Sequence, residues 1–391
     1  MNAPLRNDGL ELISGNHAVA WGVRLAAPDV APVYPITPQT PILEKLIAFQ
    51  SEGAFPCDMI TPESEHSAMA AAIAASATGA RVFTATSSQG LLLMHELLHY
   101  ASGARLPIIM FNVNRTPAAP WGFWPDQTDS LAQRDTGWVQ FYSESPQESL
   151  DTVIQAFRIA EAAEMPVMVN HDAFYVSHAV EPVAVPDAGM VTDFLPRRAR
   201  DHVLAPGSNA ALAAPAGQAE WNRARRQMEA AMARIPDLTD EAARLWADAT
   251  GRGEGVLERY RCDGARLVFV TMGSMAGTAR VAVDALREAG EPVGLVRLRL
   301  FRPFPRRAVI QALSGVKTAL VLDRNHSPGL GGIVHQELTT ALYGAPDAPQ
   351  LFGILAGVGG LNVPAETLVA LARDMRDAAP NPDPIWLEDR T

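Results

Sequence analysis

From Asn16 to about Val185 the chain alternates two apolar patterns. HAVAWGVRLAA, TPILEKLIAF, QGLLLMHELLHYAS and ESLDTVIQAFRIAEAA place apolar residues at helical spacing, whereas VAPVYPITP, DMITP, RVFTATSS, LPIIMFNVN and PVMVNHD are short apolar runs closed by turn residues. LPIIMFNVN is continuously apolar over most of its length, as strands buried on both faces of a parallel sheet are. SEHSAMAAAIAASATGA, alanine-rich and free of proline, predicts a helix ended by Gly79. Arg115 to Gln133 follows no period. Together these elements predict a doubly wound α/β domain.

A second alternation begins at Ala265. RLVFVTMGSM reads as strand and turn, AGTARVAVDALREAG as a helix ended by Gly290, and PVGLVRLRLF as a strand; RRAVIQALSG, KTALVLDRN, GGIVHQELTTAL and QLFGILAG continue the order. Between the two units, Asp201 to Gly217 is rich in Ala, Pro, Gly and Ser. The segments AEWNRARRQMEAAMARI and DEAARLWADATGRGEG after it read as amphipathic helices. The expected division is an α/β domain over 1–200, a helical connection over 201–260 and a second α/β domain over 261–391.

Composition narrows the function. The 391 residues carry a formal net charge of −11 and are 48 % hydrophobic, which suits a globular protein of two or three domains. The acidic balance disfavours nucleic acid and anionic lipid, and basic residues are scattered apart from Arg197, Arg198, Arg200 and Arg302, Arg306, Arg307. Cys57 and Cys262 are the only cysteines, too few for a disulfide framework, a zinc ribbon or a four-thiolate iron–sulfur cluster. MNAPLRNDGLELISG has no signal-peptide apolar core and no apolar run reaches membrane-spanning length, so a cytoplasmic protein without membrane contact is expected.

The motifs G-x-G-x-x-G after an early strand, Walker A, H-E-x-x-H and G-x-S-x-G are all missing. Three polar clusters stand instead at the C-terminal ends of predicted strands, where open parallel sheets bind ligands. In Tyr34-Pro35-Ile36-Thr37-Pro38-Gln39-Thr40, two prolines stiffen the loop around Thr37; a plain helix start would read the same way. In Pro62-Glu63-Ser64-Glu65-His66-Ser67, capping by Ser64 and the helix dipole explain one carboxylate but not two. His66 reads as structural. Asn112-Val113-Asn114-Arg115 delivers an arginine from a buried strand into a loop, suited to a carboxylate ligand or to an ion pair between domains or subunits.

YPITPQTPILEKL, ESEHSAMAAAIAASATGARVFTATSSQGLLLMHELL and ASGARLPII…NR…QRDTGWVQFY, in that order, resemble the alpha subunit of the 2-oxoacid:ferredoxin oxidoreductases, typified by pyruvate:ferredoxin oxidoreductase. EMPVMVNHDAF, GRGEGVLERY, VFVTMGSMAGT, LRLFRPFP and VLDRNHSPG extend the resemblance over roughly residues 12–370. It implies a thiamine-diphosphate-binding-type doubly wound domain, the pyrimidine half, followed by a transketolase-C-terminal-like α/β domain. It also implies CoA-dependent oxidative decarboxylation of a 2-oxoacid to acyl-CoA and CO2, by an enzyme active only with partner subunits. The G-D-G and downstream Asn pair of a diphosphate-binding domain are missing here. A beta subunit is therefore expected to bring the diphosphate site, Mg²⁺ and [4Fe-4S] clusters, beside gamma/delta-type subunits and a ferredoxin or NAD-linked acceptor.

By the same resemblance Glu65 matches the glutamate that hydrogen-bonds the pyrimidine N1′ and favours the imino tautomer that activates the cofactor. Glu63 is the rival if the match slips by two residues. Thr37 matches the threonine facing the 2-oxoacid, and Arg115 the arginine that binds its carboxylate. The loop after Arg115 departs from the pyruvate enzymes: Trp121, Phe123 and Trp124 fit an aromatic substrate such as phenylglyoxylate, a smaller pocket, or packing on a partner. The glycines of Gly329–Gly332 and GVGGLN read as tight turns. Gly359-Gly360-Leu361-Asn362 stands where relatives often have G-G-R-D. A non-redox transketolase-like half and a non-catalytic subunit remain the alternative readings.

Overall fold

A computed structural model describes residues 10–200, 203–207, 211–212, 214–379 and 381–390, so the first nine residues and part of the Ala/Pro/Gly/Ser-rich connection lie outside it. Two sheets organise the chain. The first runs, in spatial order, Leu300–Arg302, Val139–Ser143, Val167–Asp172, Ile108–Asn114, Val82–Thr86, Val30–Pro32, Asp58–Ile60, parallel throughout except for the antiparallel Leu300–Arg302 edge. The second runs Ile385–Trp386, Gln350–Leu355, Thr318–Asp323, Leu267–Thr271, Val293–Leu298, Leu257–Tyr260, with only the last antiparallel. A ribbon of Leu10–Ser14 with Val180–Ala184 lies apart.

The period of two sends alternate residues of each buried strand into separate cores. Phe83, Ile109, Phe111, Phe141 and Val169 join the helices Gly15–Ala26, Thr40–Ser51 and Pro146–Ala163 on one face, while Val82, Ile108, Met110 and Met168 join Glu65–Ala77 and His95–Gly103 on the other. In the second sheet Phe269, Leu295 and Leu320 meet Met275–Glu288 and Ala365–Met375, and Val268, Val270 and Val321 meet Arg306–Ala312 and Ile333–Leu342. Each such side chain contributes about 1.5–3 kcal/mol of burial, so the two sheets anchor four cores. The helices Gln218–Met232 and Ile235–Thr250 follow the connection, and the latter packs Ile235, Ala242 and Trp246 into the core of the first sheet.

Gly79 and Gly290 follow their helices with φ of +94° and +79°, as the residue types foretell. Among the elements that differ from the sequence reading, four bear on the two sheets. QGLLLMHELLHYAS divides into Ser88–Leu93 and His95–Gly103, because the Met94 amide closes on both Gly90 and Leu91 and tightens the turn. PVGLVRLRLF also divides: the chain leaves the second sheet at Leu298 and pairs Leu300–Arg302 with the first. Val139–Ser143 is a strand with Gln140 and Ser143 buried in it, so its text lacks the apolar run of its neighbours. The stretch from Arg115 to Gln133 contains one helical turn, Thr128–Leu131.

The domains meet across a charged seam. Arg297, fully buried amid VRLRLF, donates to Glu148 at 2.8 Å and Glu258 at 2.9 Å, and Arg280 grips Glu144 at 2.8 and 2.9 Å. Asp172, at a strand end of the first sheet, accepts from Gln127, the Ser274 amide and hydroxyl, and Arg324. Desolvated ions this well paired are costly to break one at a time.

Candidate functional site

Three strand ends bring the candidate residues together. Ser64, extended at φ −160°, caps the helix Glu65–Ala77 by accepting from Ser67 N–H at 3.2 Å, which turns Glu65 inward as the first helical residue. Glu65 is 8 % exposed and accepts no hydrogen bond from the described residues. Glu63, two residues earlier, is exposed, and Ser67 Oγ donates to its carboxylate and holds it below the usual carboxylate range. The two carboxylates thus lie in different settings, one buried and unpartnered, the other solvated and bonded.

Gly90 fixes what lies over Glu65. A Cβ added there would stand 2.5 Å from Thr86 Oγ1 and 2.7 Å from Glu65 Cγ and Oε1, so the helix Ser88–Leu93 approaches the carboxylate through a residue without a side chain. Thr86 Oγ1 is itself buried without a partner among the described residues. The neighbouring Gln89 accepts from Arg115 Nη2, and Arg115 Nη1 donates to the Thr37 carbonyl. Arg115 is 6 % exposed, its Nε has no partner among the described residues, and the Trp121 and Phe123 ring centroids stand 5.9 and 5.6 Å from its guanidinium carbon. Burial lowers its pKa, while Asp129 and Glu65 nearby act to raise it. Among the described residues Arg115 forms no ion pair between domains. Its bonds are to Thr37 and Gln89 within the first domain.

Thr37 is exposed and joins the cluster through its carbonyl. Gln39 beside it is fully buried, with both amide atoms unpartnered among the described residues. His66 lies on the surface, 4.0 Å from the exposed Glu96. Two residues were not singled out in the sequence. One is Gln39, whose residue type carries no such signal; the other is Asp129, hidden in the aperiodic stretch.

The second domain reaches this site through its glycine turn. Gly359 and Gly360 have φ of +67° and +82°, Gly359 N–H donates to Asp126, and Tyr175 Oη donates to the Gly360 carbonyl at 2.9 Å. A Cβ on Gly360 would stand 2.4 Å from that of Trp124. The GVGGLN turn therefore backs the aromatic loop directly, a role independent of the charge that G-G-R-D would bring.

Two parallel α/β units of this build define a class. A split-gene transketolase, an inactive beta4 tetramer, has the same fold at TM-score 0.52 and 14 % identity, covering 92 % of this chain and 97 % of that one. A 2-oxoglutarate:ferredoxin oxidoreductase from Magnetococcus marinus superposes at TM-score 0.77 with 20 % identity, covering 96 % of this chain and 66 % of the longer neighbour.

Sequence comparison is narrower. Residues 22–244 match the family described as pyruvate flavodoxin/ferredoxin oxidoreductase, thiamine diP-bdg, and residues 265–368 the pyruvate:ferredoxin oxidoreductase core domain II. The ketoisovalerate oxidoreductase subunit VorA of Pyrococcus abyssi is 45 % identical over 94 % of this chain and 93 % of its own length. The pyruvate synthase subunit PorA of Methanothermobacter thermautotrophicus is 40 % identical over 97 % and 98 %. The chain belongs to the 2-oxoacid:ferredoxin oxidoreductase family, in which it is an alpha subunit and works with partner chains.

Proposed function

We propose that this chain supplies the pyrimidine half of a thiamine diphosphate site and the carboxylate-binding wall of a 2-oxoacid pocket. The observation that carries the reading is the convergence of Glu65, buried without a donor, with Thr86 Oγ1 and the buried Arg115, whose Nε is also unpartnered. These residues fit the cofactor: a flat heterocycle that offers a ring N–H answers a buried carboxylate that nothing else satisfies. Thiamine diphosphate, when bound, supplies a nucleophilic carbon and an electron sink. Glu65 then holds the proton at the pyrimidine nitrogen. Arg115 pairs with the substrate carboxylate in a desolvated setting, and Thr37 lines the same side. Glu63, solvated and already bonded to Ser67, fits the pyrimidine role less well.

The balanced reaction takes one 2-oxoacid anion and one coenzyme A thiol to acyl-CoA, CO2 and one proton, and two electrons leave one at a time for an external acceptor. With only two cysteines in the chain, we assign the iron–sulfur clusters to a beta subunit together with the diphosphate and Mg²⁺. Gamma/delta-type subunits and ferredoxin or an NAD-linked acceptor complete a cytoplasmic heteromer. Trp121 and Phe123 beside Arg115 favour a bulky apolar 2-oxoacid, branched like ketoisovalerate or aromatic like phenylglyoxylate.

The test is a viologen-reduction screen of the complex co-purified from co-expressed subunits, with coenzyme A and pyruvate, 2-oxoglutarate, ketoisovalerate or phenylglyoxylate. Ketoisovalerate or phenylglyoxylate should give the highest kcat/KM, and the isolated chain no activity. Best turnover of 2-oxoglutarate overturns the substrate assignment. Acyl or glycolaldehyde transfer without dye reduction points to the non-redox alternative, and indifference to loss of Glu65, Thr37 and Arg115 together points to a non-catalytic subunit.

A further inference from the structure

We infer that Asp129 is the positioning residue that holds Arg115 and the cover of Glu65 in register; the inference rests on the roles just proposed for those two residues. Asp129 is fully buried on the helical turn Thr128–Leu131, and its carboxylate is the meeting point of three segments. Oδ2 accepts from the backbone amides of Ser88 at 3.1 Å and Arg115 at 3.2 Å, and from Asn112 Nδ2 at 3.3 Å. Oδ1 accepts from Asn114 Nδ2 and from its neighbour Ser130 N–H, both at 2.7 Å.

Two of these bonds bear on the site. The Arg115 amide fixes the point at which the substrate-facing arginine leaves its strand. The Ser88 amide fixes the start of the helix whose next two residues, Gln89 and Gly90, hold the Arg115 guanidinium and lie against Glu65. Ser88 sits at φ +43°, a left-handed conformation that a serine rarely adopts and that persists only where surroundings impose it. Asp129 is one source of that constraint, and the Ser88 hydroxyl, bonded to the Thr116 carbonyl at 2.7 Å, is another. Five donors on two oxygens leave no room for a neutral amide. Whichever way an asparagine is turned, its NH₂ faces either the three donors now on Oδ2 or the two on Oδ1.

The experiment is D129N in the co-purified complex, with KM and kcat read for ketoisovalerate and phenylglyoxylate alongside R115A and the D129N/R115A double variant. If Asp129 acts through Arg115, D129N raises KM for the better substrate at least ten-fold, and the double variant has the KM of R115A alone. Additive effects on KM, or an unchanged KM in D129N, overturn the positioning role while leaving the site reading intact. An unchanged KM in R115A overturns both. Should D129N not assemble, Asn114→Ser, which removes one Oδ1 donor, is expected to raise KM about three-fold, and an unchanged value there overturns the role equally.

Discussion

The two domains share one architecture and treat the C-terminal ends of their strands in opposite ways. In the second domain the Thr271 and Asp323 side chains at that position are satisfied by their own neighbours: Thr271 Oγ1 donates to the Leu322 carbonyl, and Asp323 accepts from Asn325 Nδ2, Val334 N–H and His335 N–H at 2.8–3.1 Å. Asn325 Oδ1 in turn accepts from Ile333 N–H. A Cβ on Gly332 would lie 2.0 Å from Asp323 Oδ2, so the carboxylate fills the helix N-terminus where an open α/β sheet ordinarily receives an anionic ligand. In the first domain Thr86 Oγ1, the Gln39 amide, Arg115 Nε and the Asn112 and Asn114 carbonyl oxygens are buried and left without partners among the described residues. Unpaired buried polar atoms cost free energy in an isolated chain, so the contrast marks the first crevice as the one shaped for another molecule.

The sharpest break between the two crevices is chemical. Glu65→Gln should leave the complex assembled and cut turnover by about a thousandfold, the scale of a lost general acid–base function. Undiminished dye reduction would move the role to Glu63. Next comes a matched pair of glycines. Gly90→Ala pushes Glu65 aside and should lower kcat about a hundredfold with a modest change in melting, since a displacement near 1 Å is enough for such a loss. Gly332→Ala crowds the Asp323 carboxylate instead and should cost about 1–3 kcal/mol of stability, read as a lower denaturation midpoint, with kcat per assembled complex retained. If the two variants exchange phenotypes, the contrast between the crevices is wrong.

The last effect is a pH dependence. Burial pushes the Asp323 carboxyl up to about 6, against an ordinary value near 3.9, so between those pH values the folded chain keeps a proton that the unfolded chain has released. Its contribution to stability is full below about pH 4 and is lost as pH rises through 6, by roughly 3 kcal/mol at most. Asp323→Asn should flatten that part of the profile in urea titrations at pH 4.5 and 7. A slope identical to wild type removes Asp323 as its origin.

The doubly wound order was legible because parallel strands buried on both faces write continuous apolar text, and the glycine stops at Gly79 and Gly290 carry their own geometry. The proximity of Thr37, Glu65 and Arg115 was legible only through family resemblance, since they lie on three separated strand ends that nothing local connects. Asp129 and Gln39 were not legible: one acidic and one amide residue in loops carry no signal until folding buries them. Arg297 and Arg299 escaped notice for the opposite reason. Embedded in VRLRLF they read as a strand, and only the facing Glu148 and Glu258 show why two arginines are tolerated inside it.

The short excursion of Leu300–Arg302 into the first sheet has a consequence for how the molecule can be made. Val139–Ser143 gains its outer neighbour only from residues about 160 positions downstream, which follow the helical connection and three strands of the second sheet. A ribosome that has released the first 200 residues has therefore exposed a sheet edge still waiting for its last strand, and open edges of this kind invite pairing between chains. Dividing this chain at its apparent linker would sever a sheet, not separate two modules.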